Sequence, residues 1–407
     1  MDPTTRRWRL ALFATMFVAG LAMASWVSRT PAVRDAVDAS TAQMGLVLFG
    51  LSVGSITGVV ASGGLVRRHG GRPVITAGVT LIAAGMAVVG LGVLLGVAGG
   101  VFAGLALFGA GMGLCEIALN IEGAALEAAL GAPVLATLHG CFSLGTVAGA
   151  LLGIALTAAD FPVVAHLVIV AVATAAVCAW GARAVPAGTG KAQPDDRAPS
   201  WRDQLTVWRD HRLVLIALII LAMAFAEGSA NDWLPLLMVD GHGTSATTGS
   251  LIFAGFATAM TVGRFAGAMV LRRVSRSAVV RFCALLAAVG LALVIVVDNT
   301  VVAGVGVVLW GLGASLAFPV SISAAGDHPD SAVRVSAVAT AGYFAFLVGP
   351  PTLGFLGEHV GLRGAMVLVL VCVLAASFVT PALRTPGGEG PAIVPDDVPA
   401  YPSETRT

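Results

Sequence analysis

Arg67-Arg68-His69-Gly70-Gly71-Arg72 interrupts an apolar sequence, with residues 45–66 on one side and 73–96 on the other. Each flank has the roughly 20 apolar residues that a helix needs to cross a ~30 Å hydrocarbon core. A break this short joins two antiparallel spans, and its arginines assign it to the cytoplasmic side under the positive-inside rule. The whole chain fits that reading. Of its 407 residues, 57% are hydrophobic and 11% charged, with a mean hydropathy of +0.92. Folded soluble domains carry about 25% charged residues, so most of this surface must face something other than water. The near balance of 23 Lys and Arg against 22 Asp and Glu leaves no basic field for nucleic acid. The 51 glycines follow no Gly-x-y period, and the composition is too apolar for disorder. An all-α polytopic protein embedded in a lipid bilayer remains.

Outward from that break, twelve apolar stretches can be marked: 8–28, 45–66, 73–96, 100–122, 134–157, 162–182, 213–238, 249–271, 279–297, 301–323, 334–356 and 363–384. The first follows Arg6, Arg7 and Arg9 and could imitate a secretory signal cleaved after Ala22-Met23-Ala24. It continues to Ser28, too long for a signal core, and reads as a span. An even number of spans puts both termini on one side. With that side cytoplasmic, nineteen of the 23 lysines and arginines lie inside, Arg29, Arg34 and Arg363 lie outside, and Arg264 lies within a span. This asymmetry sets the orientation and predicts an integral protein of the plasma (inner) membrane with both termini cytoplasmic. The expected organisation is a six-helix half over 1–183, a cytoplasmic linker over 184–212, a second six-helix half over 213–384 and a disordered cytoplasmic tail over 385–407. Within the linker, Trp201 to Arg212 suit a short amphipathic helix on the membrane surface. The five cysteines, an odd number scattered through apolar runs, read as packing residues without disulfide or metal-ligand spacing.

The two halves read as copies. Trp26 and Trp233 lie 207 positions apart, Gly58 and Gly263 lie 205 apart, and so do Arg67-Arg68 and Arg272-Arg273. Gly109-x-Gly111 and Gly311-x-Gly313 lie 202 apart. A nearly constant offset, in a chain divided by its one long loop, signals duplication, and tandem six-helix halves are a repeat plan of secondary transporters. The stretch Gly63-Gly64-Leu65-Val66-Arg67-Arg68-His69-Gly70-Gly71-Arg72 resembles the loop signature Gly-x-x-x-Asp-Arg-x-Gly-Arg-Arg of the major facilitator superfamily. Gly63, Arg68, Gly70 and Arg72 match, whereas Arg67 replaces the aspartate and Gly71 a basic residue. Ser25-Trp26-Val27-Ser28-Arg29-Thr30-Pro31 and Leu138-His139-Gly140-Cys141-Phe142-Ser143-Leu144-Gly145 are similar to an uncharacterised, fucose-permease-like bacterial branch. The resemblance covers about residues 8–384. It implies twelve transmembrane helices in two six-helix repeats, a gating loop at Arg68, Gly70 and Arg72, and alternating-access transport of a small, sugar-like solute. Leu105 stands where drug–proton antiporters of the family carry an arginine, and Gly149-Ala150 replaces their Gly-Pro, so drug export is disfavoured. Facilitated uniport, or drug-type export despite those departures, competes with symport, and a transport-inactive sensor or scaffold stands behind them.

An ionisable side chain at the centre of a spanning helix costs ~2.5–3.5 kcal/mol on the insertion scale, so each asks for a reason. The candidates are Glu116, His139, Glu227, Asp232 and Arg264. Spans three, six, nine and twelve are read as carrying none in their interiors, which agrees with the resemblance, where those four pack outside against lipid. At ~1.5 Å per residue, Glu116 and His139 share a level about 8–9 Å below the cytoplasmic surface. Asn120 shares a helix face with Glu116. The pair reads either as a proton site or as a fixed hydrogen bond between spans. Glu227 lies ~21 Å deep, with Asn231 on its face and Pro235 favouring a discontinuous helix beyond it. As the deepest carboxylate it is the expected proton carrier of the second half, unless an ion pair holds it. Arg264 is expected in a structural ion pair or snorkelling to the surface.

Asp232 and Trp233 are expected nearer the outer surface. Trp26 and Trp233 belong either to the outer aromatic belt or to a stacking platform for a sugar-like ring. Glu122 and Glu127 are expected to be solvated, and Gly145-x-x-x-Gly149-x-x-x-Gly153 to let two helices approach closely. No Walker A or His-Glu-x-x-His motif occurs. With no catalytic residue, cofactor or metal site expected, the sequence reads as a monomeric, proton-coupled symporter of a small solute and not as an enzyme.

Overall fold

A computed structural model describes residues 2–130, 134–191, 206–271, 273–327 and 331–384. Most of the linker, with the expected surface helix from Trp201 to residue 205, and the expected disordered tail 385–407 lie outside the described residues. Among the described residues every regular element is helical. The first half contains α1 (Pro3–Ala36), α2 (Thr41–His69), α3 (Gly71–Leu95), α4 (Ala98–Leu130), α5 (Leu135–Ala158) and α6 (Val163–Gly181). The second opens with α7 (His211–Leu236), prolonged by a wider turn over Leu237–Gly241, then α8 (Ala246–Leu271), α9 (Arg276–Val296) and α10 (Thr300–Ala325). A helical run over Ser331–Val379 is broken at Gly361, which adopts φ 75° and ψ 158°. As one rod its 49 residues would extend about 74 Å, far more than a bilayer core. It is therefore two spans, α11 (331–360) and α12 (362–379).

Helix starts are set by short polar side chains that accept the orphan first-turn N–H groups. Asp2, Asp210, Ser275 and Asn299 do this, and Ser40 forms a reciprocal capping box with Gln43. Of the stretch from Trp201 to Arg212 expected as a surface helix, the described part is helical at Thr206 and makes a tight turn over Val207–Arg209 before α7 begins at His211. α1 also runs eight residues beyond Ser28. Arg29 is therefore not in an outer loop as the sequence suggests, but inside the bundle at 3% exposure.

Lipid tails are as apolar as leucine, so helices in a bilayer associate through close packing of small residues. Gly54 and Gly58 of α2 press on the Ala106 and Ala110 carbonyls of α4, while Gly109 and Gly113 of α4 press back on Leu51 and Ser55. A Cβ at any of the four would collide with backbone. The row Gly145–Gly149–Gly153 packs in the same way on Phe17, Leu21 and Ser28 of α1. The two halves repeat one plan. α1 packs on α5, α2 on α4 and α3 on α6, and α7 packs on α11, α8 on α10 and α9 on α12.

The Arg67–Arg72 turn, the start of α1 and the start of α7 share one end of the bundle, the basic face. The α1–α2 and α7–α8 turns share the far face. Between the halves, α2 meets α11 and α5 meets α8. Among the described residues, four polar contacts cross that seam. Arg34 pairs with Asp240, the Ala42 N–H donates to Glu358 Oε2 (3.0 Å), Ser250 Oγ donates to the Ser28 carbonyl (3.0 Å), and Ser52 Oγ donates to the Phe346 carbonyl (2.6 Å). All four lie between the far face and mid-depth. Nearer the basic face, Thr57, Ala61 and Leu65 of α2 and Ser336, Thr340 and Phe344 of α11 are exposed. The halves are sealed on the far face and part toward the basic one.

Candidate functional site

α4 and α5 bring Glu116, Asn120 and His139 together on the parted side. Asn120 Nδ2 donates to the Glu116 carbonyl (2.7 Å) and reaches Glu116 Oε1 at 3.4 Å. His139 Nε2 donates to Asn120 Oδ1 (2.9 Å). The amide thus bridges an acid and an imidazole that do not bond directly. His139 is exposed and the other two are half-buried.

Glu227 on α7 is not a lone carboxylate. Arg264 on α8 donates from Nη2 to its Oε1 at 3.1 Å, with the acid side chain 14% exposed and the guanidinium 38% exposed. Both heads neutralise each other at the level where the halves part.

One turn beyond Glu227 lies a cavity of about 140 Å³ formed by both halves. α2 contributes Ser52 and Ser55, α7 contributes Asn231 and Asp232, and α11 contributes Tyr343 and Phe346. Asp232 is 7% exposed and, among the described residues, makes no hydrogen bond or ion pair. The sequence places it nearer the outer surface. It lines the interior cavity instead, because α7 continues through Gly241 and so adds depth above it.

Trp26 and Trp233 are fully buried, at 1% and 0% exposure. Neither is in an interfacial belt, and neither lines the cavity. They are held among packed helices, and Trp233 Nε1 has no hydrogen-bond partner. At the basic face, Arg68 is exposed and Arg72 half-buried on either side of Gly70, whose φ of 89° and ψ of 168° turn the chain from α2 into α3. Glu122, expected in solvent, is fully buried under this turn. The pair Gly70-Gly71 lets loop backbone approach closely: Gly70 lies against Gly188, Gly71 lies on the Glu122 carboxylate, and the Gly71 N–H donates to the Thr189 carbonyl (2.8 Å). The Trp8 indole and the Thr189 hydroxyl stand beside that carboxylate without closing a full hydrogen bond. Glu127 is also engaged, accepting from the Val134 N–H (2.8 Å) at the start of α5.

One polar pair escapes the sequence reading. Arg29 Nε donates to His166 Nδ1 (3.0 Å) between α1 and α6, and both side chains are buried. His166 lies inside span six, so the expectation that this span carries no ionisable interior residue is wrong. Its position in the apolar run was the available signal.

Twelve helices in two like-paired sets, shut on one face over a shared polar cavity and parted on the other, define a membrane transporter. A family model for the Major Facilitator Superfamily matches residues 11–344. The chain belongs to the major facilitator superfamily. An uncharacterized MFS-type transporter of Yersinia pestis is 28% identical over 371 residues, covering 89% of this chain and 92% of that one. Among solved structures, the nucleoside transporter NupG superposes with a TM-score of 0.77 at 14% identity, over 92% of this chain and 99% of its own. The E. coli fucose:proton symporter FucP does so with a TM-score of 0.64 at 17% identity, over 92% and 98%. At these identities the two structures speak for the fold. The twelve-helix, two-repeat fold and membrane transport expected from the sequence both hold.

Proposed function

We propose that the protein moves a small polar solute by alternating access, coupled to protons, as a monomer of the plasma (inner) membrane with its basic face and both termini in the cytoplasm. One observation carries this reading: a cavity built from both halves of a single chain lies where a sealed seam gives way to a parted one. The sidedness rests on the arginines. With Arg29 inside the bundle, only Arg34 and Arg363 among the described residues remain on the far face, against fifteen lysines and arginines toward the other. The structure is then the inward-open state. The resemblance in fold to a fucose:proton symporter supports proton coupling.

Glu116 and His139 form the proton path in this reading, because a carboxylate and an imidazole can each take up and release a proton, while the Asn120 amide carries none and holds the two at a fixed spacing. Glu227 with Arg264 braces α7 against α8. Arg68, Gly70 and Arg72 shape the loop that closes the basic face, and buried Trp26 and Trp233 stiffen the two repeat-related helices α1 and α7.

The test is reconstitution in proteoliposomes with a panel of labelled hexoses, nucleosides and amines, read by counterflow and by accumulation under an imposed pH gradient. At least one compound is expected to exchange. Glu116→Gln should keep that exchange and lose the gradient-driven accumulation, whereas Glu227→Gln should keep both. Accumulation indifferent to the pH gradient would overturn proton coupling, and no exchange of any compound would overturn the transport assignment of this cavity.

A further inference from the structure

The interior carboxylates are not treated alike. Glu227 faces an arginine and Glu116 an amide, whereas Asp232 has no partner among the described residues although it is 93% buried from solvent. An ionised carboxylate removed from water needs a compensating charge or donors to remain there. The cavity wall supplies no counter-charge, and among the described residues none of its donors is bonded to Asp232. No Arg, Lys or His lines it, and the Ser52 hydroxyl already donates to the Phe346 carbonyl. The nearest cation on the neighbouring helix, Arg264, is engaged by Glu227.

The remaining wall is apolar and polarisable. Met23 of α1 and Met112 of α4 contribute thioethers, and Tyr343 and Phe346 of α11 contribute rings. Aromatic faces attract cations by their quadrupole, and thioethers accommodate an apolar frame without fixing its shape. A wall with one carboxylate, two rings and no positive group repels a solute's carboxylate or phosphate more than its few hydroxyl and amide donors attract it. We propose that the cavity between the halves binds a protonated amine carried on a compact apolar or single-ring frame, with Asp232 as its counter-ion. This rests on the reading of the cavity as the solute site. The ammonium lies on Asp232, with Asn231 and Ser55 accepting its remaining protons, and the frame lies against the thioethers and rings. The volume of about 140 Å³ limits that frame to about one ring.

Three probes of one shape separate the possibilities: cyclohexylamine, which is protonated at neutral pH, cyclohexanol and cyclohexanecarboxylate. Their binding to the full-length protein in detergent micelles is read by calorimetry. The amine is expected to bind at least about tenfold more tightly than the alcohol, the gain typical of a hydrogen bond to a charged group, and the carboxylate not measurably. Asp232→Asn should remove that advantage and leave the alcohol within a few-fold. Phe346→Leu keeps the carboxylate and removes a ring, and should weaken the amine more than the alcohol; it decides the matter if Asp232→Asn does not elute as a folded species. Equal binding of amine and alcohol, an amine affinity insensitive to both variants, or no binding of any probe would overturn the proposal. Because binding is read without transport, the two claims fail separately. An amine that binds but never exchanges in proteoliposomes counts against transport, and a neutral solute that exchanges while the amine does not bind counts against the amine site.

Discussion

The far and basic ends of the α2–α11 seam are built from the same two helices and behave oppositely. At the far end Gly45 and Gly354 bring the backbones together, and a Cβ on Gly354 would lie 2.7 Å from the Gly45 Cα. Glu358 then reaches the first turn of α2, and Arg34 and Asp240 close over the neighbouring helix ends. Toward the basic end the facing positions are exposed, and the ionisable groups there pair within their own half, as Glu227 does with Arg264 and Asp210 with Arg334. Exposed ion pairs contribute about 0.2–1 kcal/mol and ordinary hydrogen bonds about 0.5–1.5 kcal/mol. A seal made of a few such contacts is strong enough to hold one state and weak enough for bound solute to reverse it.

The largest effect is expected from wedging the glycine contact. Gly354→Val places a branched side chain against backbone that cannot yield, and overpacking of this kind costs about 1–3 kcal/mol. Labelling of a cysteine buried in the closed seam, such as Ser250→Cys, should accelerate by about tenfold or more, since about 1.4 kcal/mol is a factor of ten. Arg34→Ala removes the pairs with Asp240 and Asp35, of which only the first crosses the seam, and the same labelling should rise by no more than about fivefold.

The smallest effect is a pH response within the second half. The hydrogen bond from Arg334 holds the Asp210 carboxyl below its ordinary value of 3.8. A depressed folded value means that this contact stabilises above the unfolded pKa of about 3.9 and is lost as pH falls through the folded value. Melting of the protein in detergent should therefore weaken from about pH 5 toward about pH 3, and Asp210→Asn should remove part of that slope while leaving far-face labelling unchanged.

The sequence made the membrane architecture legible because apolar length and basic asymmetry are local properties of a chain. Gly361 shows the limit. It separates two spans that the residue counts 334–356 and 363–384 already divide, yet its backbone conformation is visible only in the fold. The individual ionisable residues were legible as unusual but not as pairs. Depth along one helix put Glu116 level with His139, but not the bridging Asn120 amide between them. The same arithmetic ranked Glu227 above Asp232, since it reports distance from a surface and not whether a neighbouring helix supplies an arginine. Arg29 and Glu122 were read as solvated because they sit at the edges of apolar runs. The longer α1 and the close Gly70-Gly71 turn bury them.

That the two ends of one seam open in alternation is tested most directly by spin-label distances along α2 and α11. In a cysteine-free background, one label pair at Gln43→Cys and His359→Cys reads the far end, and another at Ala61→Cys and Ser336→Cys reads the basic end; all four positions are exposed. Without the wedge, the far pair should be short and the basic pair long. Adding Gly354→Val should lengthen the first and shorten the second. Lengthening of the far pair with an unchanged or longer basic pair would mean that the halves separate without rocking, and would contradict alternating access around this cavity.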